Sequence, residues 1–85
     1  MDISRNEQRI LHVLAQGGRI HVLKNDRGRI TDVECYNRDG WVLTDCPLWL
    51  FQKLRRKKAI RSQASAPYRI TRRGLELVRA EFDNR

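Results

Sequence analysis

No apolar run in this chain approaches the roughly 20 residues that a membrane-spanning helix requires. The opening Met1-Asp2-Ile3-Ser4-Arg5 also lacks the apolar centre of a secretion signal. A cytoplasmic location with no membrane contact is therefore expected. Cysteine is scarce. Cys35 and Cys46 are the only two, and they do not form a C-x-x-C pair, so a zinc knuckle or a local redox motif has no support. Combining them with His12 and His21 gives a mixed ligand set without metal-site spacing. Two buried, reduced thiols are the plainer expectation, with no metal and no cofactor. The signatures of catalysis are missing as well. There is no G-x-S-x-G, no glycine-rich loop leading to a lysine and no pair of carboxylates on a shared face. Cys46, near the start of a helix, is the one thiol whose position would lower its pKa, but neither histidine stands beside it in sequence. The chain is expected to bind rather than to catalyse.

Acid is missing where base is densest. Between Asp45 and Glu76 there is no acidic side chain, while nine basic ones crowd the same stretch: Lys53, Arg55, Arg56, Lys57, Lys58, Arg61, Arg69, Arg72 and Arg73. That is half of the 18 basic residues in a chain of 85 with formal charge +8. A field of one sign implies an anionic partner, either nucleic acid or an acidic protein face.

The length suits one small domain covering residues 1–85, with an apolar share sufficient for a single modest core. Ser4 followed by Glu7 reads as a capping box. Ile10, Leu11 and Leu14 then recur at helical spacing, and Gly17-Gly18 stops the helix. The first helix is placed from Arg5 to about Gln16, with His12 partly buried in it. Ile20 and Val22 begin a strand, and Asn25-Asp26-Arg27-Gly28 is a turn. A β-branched run returns through Arg29–Tyr36, Asn37-Arg38-Asp39-Gly40 turns again, and Trp41-Val42-Leu43 makes a third short strand. Trp41 and Tyr36 are expected to pack on this antiparallel meander.

A second helix follows over Asp45–Lys58, capped by Thr44 or Asp45, with Pro47 tolerated in its first turn. Leu50, Phe51 and Leu54 form its core stripe, and the basic run sits at its C-terminal end, where cations suit the helix dipole. Ile60–Gln63 and Pro67–Ile70 make a hairpin around Ala64-Ser65-Ala66. Thr71 caps a third helix that carries Leu75, Leu77, Val78 and Phe82 on its apolar side. Helix, hairpin and helix in this order form the back half of a winged helix. The predicted fold is α+β: one winged-helix-like domain of three helices, a small antiparallel meander and a C-terminal wing hairpin.

In that fold the hairpin lies beside the end of the second helix, so Lys53, Arg55, Arg56, Lys57, Lys58, Arg61, Arg69, Arg72 and Arg73 could form one patch. The alternative for the run is a solvated, dipole-compatible helix end. Trp49 is either an interface anchor at the edge of this patch or a core aromatic. The N-terminal half of the helix, Cys46–Phe51, is apolar where a base-reading helix would carry Arg, Asn, Gln or Ser. The basic end suits contact with a backbone or an acidic surface better than sequence readout.

Several segments resemble the YjhX-type toxin family of bacteria. They are Ser4-Arg5 with Glu7-Gln8-Arg9, Leu11-His12-Val13-Leu14-Ala15 before Gly17-Gly18-Arg19-Ile20, Gly28-Arg29, Val33-Glu34-Cys35-Tyr36, Leu43-Thr44-Asp45-Cys46, Pro67-Tyr68-Arg69-Ile70, Gly74-Leu75, Val78-Arg79-Ala80 and the closing Asp83-Asn84-Arg85. The likeness runs the length of the chain. It implies a chromosomal toxin-like protein that binds bacterial DNA topoisomerase I, blocks its activity and is paired with an antitoxin. A winged-helix DNA-binding protein is the alternative that the same charges allow.

Overall fold

Ser4 fixes where the first helix starts. In this computed structural model, which describes residues 3–43 and 45–83 with side chains through Arg79, Ser4 Oγ accepts the Glu7 N–H at 3.1 Å and Glu7 Oε1 accepts the Ser4 N–H at 2.8 Å. Both halves of the capping box are therefore closed. Helix α1 (Arg5–Ala15) buries Ile10, Leu11 and Leu14 along one stripe. His12, expected to be partly buried, is exposed, because its position turns it away from that stripe.

The meander follows as β1 (Arg19–Lys24), β2 (Ile30–Tyr36) and β3 (Val42–Leu43), antiparallel in that order. Both of its turns use one device. Asn25 Oδ1 accepts the N–H groups of Arg27 and Arg29, and Asn37 Oδ1 accepts those of Asp39 and Trp41. Gly28 and Gly40 close the turns at φ of 79° and 90°, a conformation cheap only without a Cβ. The register pairs Ile20 with Cys35 and Val22 with Val33, which directs Ile20, Val33 and Cys35 into the core. Tyr36 packs edge-on to His21 at 5.0 Å. Trp41 does not pack on the sheet as expected. It stands in the turn one residue ahead of β3, and it is 73% exposed.

Helix α2 (Leu48–Arg56) is shorter at both ends than the sequence reading. Its N-cap is Pro47, in an extended conformation and without a side-chain capping bond. A proline disfavours helical geometry at the residue before it, so Asp45 cannot cap; Thr44 lies outside the described residues. Asp45 meets Arg9 instead, whose Nη2 donates to the Asp45 carbonyl at 3.0 Å. At the other end the chain turns away at Lys58, whose φ of 60° is left-handed.

The hairpin is β4 (Ile60–Arg61) with β5 (Arg69–Ile70), and α3 (Arg72–Asp83) closes the fold. Thr71 caps it as expected, its Oγ1 accepting the Gly74 N–H at 3.0 Å. Leu77 and Val78 are buried and Leu75 is half-buried; the Phe82 side chain lies outside those described. Hairpin and meander are joined by a pair of backbone bonds. Ile20 N–H donates to Tyr68 O at 2.9 Å, and Tyr68 N–H donates to Ile20 O at 2.8 Å. The shared core runs through Ile10, Leu11, Ile20, Leu50, Phe51, Leu54 and Ile60, with Phe51 set edge-on to Tyr68 at 4.9 Å. The architecture is α+β, three helices with antiparallel strands.

Candidate partner-binding surface

The basic residues gather because α3 starts against the end of α2. Two bonds fasten the junction: Thr71 N–H donates to Ala59 O at 2.9 Å, and Thr71 Oγ1 donates to Lys58 O at 2.7 Å. Gly74 makes the approach sterically feasible. A Cβ there would collide with the Ala59 carbonyl oxygen and lie 2.6 Å from Ile70 Cγ1. With α3 drawn in, a surface recess of about 430 Å³ forms between α2, β4 and α3. Arg55, Lys58, Arg61, Arg72 and Arg73 line it with Ile60 and Thr71, and no acidic side chain among the described residues does.

A shallower recess of about 300 Å³, lined by Gln52, Arg55 and Arg56, lies along α2 itself. Trp49 stands one turn earlier on the same helix face, since positions 49, 52 and 56 share an outer stripe. It is 53% exposed, which settles it as a surface aromatic rather than a core one. Arg55 also reaches over the Tyr68 ring, 6.0 Å from its centroid.

The remaining candidates are engaged inside the fold. Lys57 Nζ lies 2.8 Å from Glu7 Oε2 and donates to Glu7 Oε1 at 3.0 Å, while Lys53 Nζ is 3.9 Å from Oε1. Glu7 is 1% exposed. Burial pushes its pKa up, but the bonds from Lys57 and Ser4 outweigh burial and hold it below the ordinary value. Arg69 Nη1 donates to Gly17 O at 3.1 Å and Gly18 O at 3.3 Å, clasping the hairpin to the end of α1. The ten residues singled out in sequence thus divide. Lys53, Lys57 and Arg69 brace the fold, and Trp49, Arg55, Arg56, Lys58, Arg61, Arg72 and Arg73 are exposed.

Sequence reasoning missed Glu7 as the anchor of Lys57, because the pair is 50 residues apart. Gly74 left a fainter signal, a glycine inside an otherwise regular helix. The chemistry of the outer face is cationic and aromatic. Among the described residues no group of three or more His, Cys, Asp and Glu could hold a metal ion, and no helix is long and apolar enough to cross a membrane.

Comparison with known proteins completes the picture. A family profile described as "Putative toxin of bacterial toxin-antitoxin pair" matches residues 1–85. Among similar curated proteins is a UPF0386 protein of Hyphomonas neptunium, 58% identical over 84 residues and 99% of each chain. UPF0386 proteins of a Chelativorans species and of Beijerinckia indica are 61% and 60% identical over the whole of both chains. No solved structure matches.

Proposed function

We propose a function from one premise: the chain belongs to the YjhX toxin family. The protein is a toxin-like inhibitor that binds bacterial DNA topoisomerase I through a basic winged-helix surface, and it acts by occupancy rather than by catalysis. The observation that carries this reading is the recess whose lining brings together Arg55, Lys58, Arg61 and Arg72 from α2, β4 and α3, with Arg73 beside them. The unit from α2 through β4 and β5 to α3 is read as the presenting half of a winged helix, and Tyr68 adds β1 to its sheet. An enzyme that handles DNA can offer such a face acidic groups, or a DNA channel in which the recess competes with phosphates. Trp49 supplies an aromatic anchor at the rim. An antitoxin is the second expected partner, and acidic character would let it cover the same recess.

A second reading is favoured by the form of α2. Leu48, Leu50 and Phe51 are apolar and the cations lie at the far end of the helix, which suits phosphate contact rather than base readout. Four to six phosphate contacts would give a logarithmic salt slope of roughly −4 to −5.

Relaxation of negatively supercoiled plasmid by topoisomerase I, with this protein titrated in at several DNA concentrations, separates the two. Inhibition that saturates near one protein per enzyme, independent of DNA, supports the enzyme as target. Inhibition that scales with DNA supports nucleic acid, and absence of inhibition removes the proposal. The triple change Arg55→Gln, Lys58→Gln and Arg61→Gln should weaken the effect while leaving Lys57, and hence the fold, intact.

A further inference from the structure

The meander leaves part of one edge open. Strand β2 runs over Ile30–Tyr36, yet among the described residues β3 pairs only with Cys35 and Tyr36. The direction of each backbone group of β2 follows from β1. Ile20 exchanges both of its backbone bonds with Tyr68, so its N–H and C=O face away from β2. Its partner Cys35 therefore turns its own N–H and C=O toward β3. Val33, two residues earlier and paired with Val22, points the same way. Among the described residues nothing in β3 stands opposite Val33. A surface recess of about 670 Å³ opens there, and Val33 and Leu43 line it with three carboxylates, Asp32, Glu34 and Asp45, and one guanidinium, Arg9. The Val33 N–H is covered by its neighbour: Asp32 Oδ1 accepts it at 2.8 Å. A charged side chain on a free edge is a device that keeps stray strands from pairing.

From this arrangement we infer that the 30–34 edge of β2 is a docking site for an extended segment of a partner protein in which basic and apolar residues alternate. The segment adds as a strand beside β2, in the space that β3 does not fill. Charge selects it. Successive side chains of a strand point to opposite faces. Asp32 and Glu34 share the outer face of β2, whereas Val33 and Cys35 are buried in the core. Lysine or arginine on the added strand meets the two carboxylates, and its apolar residues meet Val33 and Leu43 on the other face. Val42, 50% exposed, borders the recess and offers contact to the apolar stems of those cations.

The same carboxylates argue against a second copy of this chain. Pairing this edge with its own image about a two-fold axis sets Asp32 and Glu34 against acids of the other copy, and like charges directly opposite are destabilising. Arg9 is already engaged by Asp45, at 3.0 Å to the carbonyl and 3.6 Å to the carboxylate, which leaves Asp32 and Glu34 to select the partner. Glu34 Oε1 accepts the Tyr36 hydroxyl at 3.0 Å, which fixes the orientation of its side chain. On docking, Asp32 gives up the Val33 N–H to a carbonyl of the incoming strand and turns to the incoming cation. This recess shares no lining residue with the cationic one between α2, β4 and α3, so the two surfaces serve different partners.

The test uses the isotope-labelled full-length protein and, as probe, a short capped peptide of alternating lysine and valine. Two peptides serve as controls: alternating glutamate and valine, and the lysine–valine composition arranged in two blocks. The salt is set at about 0.15 M, where the positive charge of the rest of the chain is screened beyond roughly 8 Å. The alternating lysine peptide should shift the amide resonances of residues 31–34 and slow hydrogen exchange of the Val33 amide about tenfold or more, and the controls should do neither. The double change Asp32→Asn and Glu34→Gln keeps the acceptors for Val33 and Tyr36 but removes both charges, and it should weaken binding roughly fivefold. Absence of binding, shifts confined to other amides, equal binding of either control, or unchanged affinity in the double variant would each overturn the inference. A free protein that is already dimeric, with the Val33 amide protected, would overturn it in favour of a second copy.

Discussion

Glu7 is the buried carboxylate among the described residues, and Glu7→Gln measures what it holds in place. The side chain is 1% exposed and the Lys57 side chain 21% exposed. Removing one partner of a buried pair costs about 3–5 kcal/mol, because the other charge is left without compensation. Here Lys57 keeps some contact with water, and a glutamine oxygen can still accept the Ser4 N–H, so about 2–3 kcal/mol is expected. For a domain of this size that corresponds to a fall in melting temperature of roughly 10–20 °C. Urea and thermal unfolding followed by circular dichroism would read it. A double-mutant cycle with Lys57→Met isolates the pair: the two changes together should cost clearly less than their sum. The pH dependence carries a second signature. The Glu7 pKa is lower in the folded protein than its ordinary 4.5, so the stability it contributes is complete above about pH 4.5 and is lost as pH falls through the lower folded value. Glu7→Gln should therefore differ most from wild type near neutrality and converge with it in acid. A change within 0.5 kcal/mol of wild type, or strict additivity with Lys57→Met, would refute the reasoning.

Three further outcomes follow from the same geometry. Gly74→Ala should destabilise by about 1–3 kcal/mol in chemical denaturation, because the clash with the Ala59 carbonyl outweighs the roughly 1 kcal/mol that alanine's helix propensity would add. A gain in stability would mean that α3 does not rest on residue 59. Arg69→Ala should cost about 1 kcal/mol by releasing Gly17 and Gly18 of the α1 end, and its loss should be visible as faster amide exchange in the hairpin. Trp49→Ala should leave unfolding within about 0.5 kcal/mol of wild type while weakening association with the target about tenfold or more, as measured by calorimetry. Equal affinity would remove Trp49 from the interface.

Local chemistry was the legible part of this fold. The Ser4–Glu7 box, the two Asn…Gly turns and the Thr71 cap are written in adjacent residues, and each formed where the pattern placed it. The start of α2 was misjudged because Thr44 and Asp45 are capping residue types, whereas Pro47 controls the backbone just before the helix. Its end was misjudged because a left-handed lysine leaves no mark in sequence; such a residue is normally glycine or asparagine. The candidate surface was legible as charge but not as geometry. Nothing in the run Arg55-Arg56-Lys57-Lys58 reveals that one member turns inward to a carboxylate from the first helix, nor that Arg69 clasps the end of that helix. Trp41 and His12 were drawn inward by residue type and average burial, and the backbone at each position turned them out.

The Ile20–Tyr68 pairing gives this small domain an order of completion. One strand of the seam is made early in synthesis and its partner late, and the recess on α2 also needs Arg72 and Arg73 from beyond the seam. A chain still being translated can close α1 and the meander, whose contacts are local, but it cannot yet own the cationic surface. A transcript cut short before residue 73 would encode a basic polypeptide without that surface. The surface therefore comes into being only once synthesis has passed residue 73, after both sides of the seam have been made.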